Sequence, residues 1–461
     1  MRMPWFVLAA AEVLAVIGCG GEQDSFQQGT ASFGAFPSDR TTRNRDGEPV
    51  GPDELPAEPS LDDYLRHAAL NNPGLAAAFH RWQAAGQRVV RAKALPDPRL
   101  SYRYFIEQVE TRVGAQRQGF ELSQTLPWPS KLARRGDAAT AEARGRRQRF
   151  EAARWRLSYQ VKIAYYEYYY LGRAIEIVQD SRDLVRHFEA VARARYRVAV
   201  GSHPDVIRAQ VELGKIADRL RTLKDLRGPL AARLNAVLNR PAGTPVPWPV
   251  QVVAAPVSVT DEQLLAWLAE SNPQLKALDA RIAAGHSRIE LARADYFPDV
   301  TLGVGYIDTA GAVTSPRPPD AGTDPVVAMV SVNLPIWWHK LAAGVREARL
   351  GRRQAVYERA DKLNALGAEL KLAAHGFRDA ERKMALYGQS LVPKAVEAVE
   401  AAEAAFRTGK GTFGELIDAQ RLMLEFQLAR RRALANRMQR LAELEMLVGR
   451  PIAILSNADG G

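Results

Sequence analysis

Cysteine is nearly absent from this chain: one residue, Cys19, in 461. No internal disulfide can form, and a cluster of thiolate metal ligands is excluded. Long apolar runs are equally scarce. After the segment from Trp5 to Ile17, no stretch approaches the ~20 residues that a membrane-spanning helix needs, so any crossing of a bilayer must be made by strands. Catalytic patterns are missing too. The seven histidines, His67, His80, His187, His203, His286, His339 and His375, form no HxxxH pair and no ligand set with neighbouring carboxylates. There is no G-x-S-x-G elbow, no P-loop and no G-x-G-x-x-G after a strand. Neither an enzyme nor a cofactor is expected.

What the chain has in excess is positive charge, +11 with neutral histidines. Such a balance raises nucleic acid or an anionic membrane surface as partners. Arg134, Arg135, Arg144, Arg146, Arg147 and Arg149, however, are spread through a helical stretch among Ala and Glu, as on a solvated helix face, and no nucleic-acid module accompanies them. No nucleic-acid partner is expected.

At the N-terminus, Arg2 and the apolar run read as a signal peptide over residues 1–18. Val16-Ile17-Gly18-Cys19 resembles a bacterial lipobox, which makes Cys19 the expected lipidation site; a signal peptide with an incidental cysteine is the alternative. Gly20 stands where an inner-membrane retention signal would place Asp, which favours the outer membrane. Residues 19–59, rich in Gly, Ser, Gln, Asp and Pro, read as a weakly ordered tether.

The rest of the chain is written twice. Asn72-Pro73 opens a helical stretch that ends at Ala94-Leu95-Pro96-Asp97, and Asn272-Pro273 opens another that ends at Tyr296-Phe297-Pro298-Asp299. Leu126-Pro127-Trp128 is echoed by Leu334-Pro335-Ile336-Trp337. Tyr196-Arg197, Gly201, Ala209-Gln210 and Arg240-Pro241 match Phe406-Arg407, Gly411, Ala419-Gln420 and Arg450-Pro451. The expected organisation is a first repeat over 60–241, a linker over 242–259, a second repeat over 260–451 and a tail over 452–461.

Within each repeat the hydrophobic period changes to two. Leu100, Tyr102, Tyr104 and Ile106 alternate with polar neighbours, as do Phe120 and Leu122; Val300, Leu302, Val304 and Tyr306 repeat the design, followed by Val326, Ala328, Val330, Val332 and Leu334. Strands are expected at about 98–107, 117–126, 299–308 and 326–335. Their lengths suit tilted transmembrane strands, about 9–11 residues; two hairpins on a soluble core are the alternative. A long helix follows each hairpin. Trp128 to Val198 holds no proline after Pro129, and Leu366, Leu370, Ala373, Phe377, Ala380, Met384, Tyr387 and Leu391 step by fours and threes as a coiled-coil seam. A break or kink is expected at Pro393, and hairpin tips at Gly201-Ser202-His203-Pro204 and Gly409-Lys410-Gly411-Thr412.

Three carboxylates sit at those tips. Glu415 and Asp418 are three apart on one helix face, and Asp205 lies at the matching tip. In a symmetric assembly they become acidic rings that attract cations and narrow a passage; helix N-terminal capping is the alternative.

From Ser60 to Pro451 the residues resemble the outer membrane efflux protein family, the TolC-like outer membrane factors. The resemblance rests on the duplicated landmarks, the hairpins before Leu-Pro, and Ala404-Ala405-Phe406-Arg407 through Gly414-Glu415-Leu416-Ile417-Asp418-Ala419-Gln420. It implies a mainly α fold with a membrane β-barrel: three copies pool four strands each into a twelve-stranded barrel, continued by an α-barrel tunnel. It implies a periplasmic gate of Glu415, Asp418 and Asp205, with Phe406 where the family has a gate tyrosine. It also implies a homotrimer working as a passive exit duct with a periplasmic adaptor and an inner-membrane RND-type pump. Gln124-Thr125-Leu126-Pro127-Trp128-Pro129-Ser130-Lys131-Leu132 is similar to the subgroup serving cobalt-zinc-cadmium and copper-silver pumps. The other readings are a periplasmic coiled-coil adaptor or scaffold lipoprotein, and an outer membrane duct for drugs or secreted polypeptide.

Overall fold

In the computed structural model, residues 55–452 are described, apart from 57, 250, 251, 253 and 255. The expected signal peptide, Cys19, most of the tether and residues 453–461 lie outside the described residues. The first repeat runs α1 (Leu61–Asn71), α2 (Pro73–Lys93), β1 (Arg99–Thr111), β2 (Gly114–Leu126), α3 (Pro129–Arg197), α4 (His203–Asp225) and α5 (Arg227–Val237). The second runs α6 (Asp261–Ser271), α7 (Pro273–Ala294), β3 (Val300–Thr309), β4 (Val326–Val332), α8 (Trp338–Leu386), a π turn (Tyr387–Leu391), α9 (Val392–Arg407) and α10 (Phe413–Val448).

The sequence landmarks are the joints of this architecture. Ser60 and Asp63 form a reciprocal cap on α1, and Thr260 and Gln263 do the same on α6. Asn272, 1% exposed, accepts hydrogen bonds from the amides of Gln274 (2.8 Å) and Leu275 (3.0 Å) at the start of α7. Its Nδ2 donates to the Leu447 carbonyl (2.7 Å) at the end of α10. Asn72 serves the first repeat likewise, accepting from Leu75 (3.0 Å) and donating to Val237 (3.1 Å) at the end of α5. One side chain thus satisfies the unpaired donors of one helix start and an unpaired carbonyl of another helix end. Each repeat is clasped first element to last, with Pro73 and Pro273 at first-turn positions where the missing N–H costs nothing. Two residues beyond each clasped carbonyl the backbone turns left-handed, at Asn239 (φ 58°) and Gly449 (φ 72°).

The four strands form one antiparallel sheet in the order β1-β2-β3-β4, so β2 and β3 join the two repeats. Tyr102, Phe120, Tyr306 and Val326 stand in register across it, and Leu100, Leu122, Val304 and Ala328 form the next row. Much of this apolar face meets solvent in the single chain; Ile106 is 91% exposed. The opposite face is polar near its lower end, with Arg103 paired to Glu121 at 3.3 Å and Thr125 hydrogen-bonded to Thr301 at 3.0 Å. β1 and β2 are longer than the expected 98–107 and 117–126, because a tight connection at Arg112-Val113 keeps the ladder going. β4 is shorter than the expected 326–335. Asn333 keeps one ladder bond, its amide donating to the Asp299 carbonyl (3.3 Å), but its side chain instead of its carbonyl accepts from the Asp299 amide, and regular pairing stops there.

Each strand adjoins a helix at one end: α2 leads into β1, β2 into α3, α7 into β3 and β4 into α8. These helices pack in the same order as the strands, α2 on α3, α3 on α7, α7 on α8. The 69-residue α3 is about 100 Å long at ~1.5 Å per residue. Its lower half packs on α4 and α10 around Val178, Val185, Phe188, Ile216, Leu220, Leu416, Leu424 and Leu428. The seam on α8 is buried from Leu366 through Ala380. At Pro393, where a break or kink is expected, the helix carries a π turn: the Val392 amide reaches back to the Tyr387 carbonyl, which absorbs the defect while the helix continues.

Candidate functional site at the helical tips

α3 returns into α4, and α9 into α10, through two loops whose backbones repeat each other bond for bond. The amides of Val200 and Gly201 both donate to the Arg195 carbonyl (2.9 and 3.0 Å), and those of Lys410 and Gly411 both donate to Ala405 (2.9 and 3.1 Å). Ala199 (φ 57°) occupies the left-handed position that Gly409 (φ 73°) takes in the second loop. The left-handed conformation costs a residue with a Cβ ~1–2 kcal/mol. Ala199→Gly is therefore expected to stabilise the first tip by about 0.5–1 kcal/mol net of glycine's greater unfolded-state entropy, and Gly409→Ala to weaken the second by a similar amount. Hydrogen exchange of the tip amides checks both.

The three expected gate carboxylates differ in their surroundings, and two of them have partners within the chain. Glu415 closes a reciprocal cap with Thr412: its carboxylate accepts from the Thr412 amide (2.8 Å), and its own amide donates to Thr412 Oγ1 (3.2 Å). The capping alternative therefore describes Glu415, whose side chain is nonetheless exposed. Asp418, one turn on, is 74% exposed and pairs with Arg421 at 3.2 Å. Asp205, in the first turn of α4, is half-buried, and its carboxylate has no hydrogen-bond or ion-pair partner among the described residues.

Several residues that sequence reading passed over hold the two tips together. Arg195 Nη1 donates to the carbonyls of Phe406 and Arg407 (2.9 Å to the latter), capping the end of α9, and the guanidinium lies 4.8 Å from the centre of the Phe406 ring. Its counterpart in the other repeat is Ala405, so the duplication gave no signal for it. Arg421 bridges α10 to α4 through Glu212 (2.5 Å), whose side chain is 7% exposed; that hydrogen bond pushes the Arg421 guanidinium's pKa up. Gln420, fully buried, donates to Ser181 of α3. His187, Glu403 and Arg407 form a small polar cluster between α3 and α9.

At the opposite end of α3, Lys131 (side chain 4% exposed) meets Asp299 at 2.9 Å, and the Trp128 amide donates to the same carboxylate oxygen at 3.0 Å. Trp128 stacks on Phe297 with ring centres 5.2 Å apart. The Leu-Pro-Trp-Pro-Ser-Lys segment is thus a strand-to-helix joint between the repeats. Burial pushes the Asp299 carboxyl up, but the Lys131 hydrogen bond, the Trp128 amide and the nearby positive charge outweigh it and hold it below the usual carboxylate range.

Among the described residues no helix is long and apolar enough to cross a membrane, and no three His, Cys, Asp or Glu side chains converge as a metal site.

Residues 264–450 match the family described as outer membrane efflux protein. The chain is 22% identical over 426 residues, 87% of its length, to the cobalt-zinc-cadmium resistance protein CzcC of Cupriavidus metallidurans, covering 93% of that protein. It is 29% identical over 149 residues to protein CyaE of Bordetella pertussis, a match spanning 31% of each chain. Its fold superimposes with a TM-score of 0.70 on CusC, solved in a study of transmembrane channel formation, at 16% identity over 86% of this chain and 93% of that one. The mostly helical fold with one small antiparallel sheet is that of TolC-like channels.

Proposed function

We infer, from the premise that this chain belongs to the outer membrane efflux protein family, that it is the exit duct of a tripartite efflux system. Family and fold neighbours are channel proteins, and the chain is not an enzyme. The observation that carries the reading is the sheet. Its apolar face is exposed, and its edges β1 and β4 are each paired on one side only. An open edge in lipid leaves a row of unpaired backbone groups, each costing several kcal/mol. Three copies joined edge to edge would give twelve strands with no edge, an even number within the range of bacterial barrels. The helices below would close into a tunnel, with the tips facing a periplasmic adaptor and an RND-type pump. Heavy-metal cations are the proposed cargo, supported by the similarity to CzcC over most of the chain. Attachment through an acylated Cys19 completes the proposed outer membrane location.

Asp205, Glu415 and Asp418 are proposed to line the periplasmic end, where three copies would set three acidic rings. Capping and gating are separable at Glu415, because glutamine serves a capping box as glutamate does while removing the charge. Glu415→Gln with Asp418→Asn should leave the melting temperature within about 2 °C of wild type and change the cation dependence of single-channel conductance in planar bilayers severalfold. Unchanged conductance would remove these residues from the gate. The adaptor reading is disfavoured because both hairpins build one continuous sheet, where an adaptor needs only the helices.

A further inference from the structure

Below the sheet, α3 and α7 approach through small residues: a Cβ added to Gly145 would lie 3.4 Å from the Ala280 Cβ and 3.5 Å from the Ala277 carbonyl oxygen. Beside this contact is a cleft of about 210 Å³ whose charged walls are Arg146, Arg149, Arg281, Arg288 and Glu142. Two of the four guanidiniums have counterions within the chain, Arg288 with Glu142 and Arg281 with Glu358 of α8. Arg146 and Arg149 have no hydrogen-bond or ion-pair partner among the described residues. Burial pushes the Arg149 guanidinium's pKa down, and the charges of Arg146 and Arg281 beside it act in the same direction. The cleft therefore gathers positive charge that the chain leaves uncompensated, on forks whose geometry suits the paired oxygens of an oxyanion.

We propose that this cleft binds a soluble, multiply charged oxyanion of the phosphate class, taken by Arg146 and Arg149 with Arg281 and Arg288 at its margins. Its place along α3 selects a soluble source over a lipid headgroup. The cleft lies some 12 to 20 residues beyond the start of α3, roughly 18–30 Å from the sheet. The interfacial layer of a leaflet is only ~5–8 Å deep. This step rests on reading the sheet as the membrane-embedded part. The bound anion would tie α3, which continues β2, to α7, which leads into β3, and so cross-link the two repeats under the strands that join them.

The test uses full-length protein extracted in detergent. Inorganic phosphate, at constant ionic strength against chloride, should raise the melting midpoint by about 3 °C or more, as expected for a ligand that binds only the folded state. The double variant Arg146→Gln, Arg149→Gln should lose that rise. On wild-type protein, where no variant has to fold, phosphate should slow phenylglyoxal modification of Arg146 and Arg149 severalfold and leave the exposed Arg221 unchanged. An equal midpoint shift in chloride, or no protection of the two arginines, would overturn the site. Protection by phosphatidylglycerol vesicles and not by phosphate would replace the soluble ligand with a lipid and refute it as stated. Absence of any channel conductance from wild-type protein in planar bilayers, with phosphate protection intact, would instead count against the membrane reading alone.

Discussion

Asn272→Ala should lower stability by about 2–4 kcal/mol. The substitution removes the cap of α7, worth ~1 kcal/mol, and leaves the Leu447 carbonyl without its donor, worth a further ~1–3 kcal/mol when buried. Asn272→Ser separates the two contributions, because a hydroxyl can still accept from the start of α7 but is too short to reach Leu447. It should fall between wild type and alanine. The equivalent Asn72→Ala should cost less, since Asn72 is half-buried and its longer bond reaches Val237 at 3.1 Å. Melting of the detergent-extracted protein gives the ranking, and equal losses at the two positions would contradict the clasp as drawn.

Asp299→Ala should cost about 3 kcal/mol, because it strands the buried Lys131 ammonium without its partner and removes the acceptor for the Trp128 amide. The same pair makes stability acid-sensitive. With the folded carboxyl depressed below its unfolded value of ~3.9, its contribution is fully present above that pH and is lost as pH falls through the folded value. Unfolding measured from pH 6 downward should therefore show a steeper loss below about pH 4 in wild type than in Asp299→Asn. Parallel curves would mean that Lys131 and Asp299 are not coupled.

Much of this architecture was legible because it is written twice. The Asn-Pro, Pro-Asp and Arg-Pro landmarks marked the joints of both repeats, and the period-two runs identified all four strands. What those landmarks do was not legible. The partner of Asn272 is 175 residues away, a separation that no local pattern encodes. Strand ends are not legible where a side chain decides them: the Asn333 side chain takes the Asp299 amide and so ends β4 earlier than its alternation implies. Pro393 was readable as a defect, but whether the helix breaks or widens depends on the amide of Val392 finding the Tyr387 carbonyl. At the tips, the spacing of Glu415 and Asp418 announced a shared face without distinguishing a cap from a gate. Thr412 settles the cap for Glu415 and leaves its charge exposed. Arg195 has no signal in the duplication because it crosses between the repeats, and residues that do so need no copy.

Edge-to-edge closure by three copies is the central claim, and the mass of the detergent-extracted particle tests it most directly. Native mass spectrometry should show three chains per particle, with no stable species in buffer without detergent. A monodisperse monomer that stays in solution without detergent would contradict it, since β1 and β4 would then survive as open edges and the exposed apolar face would need no lipid.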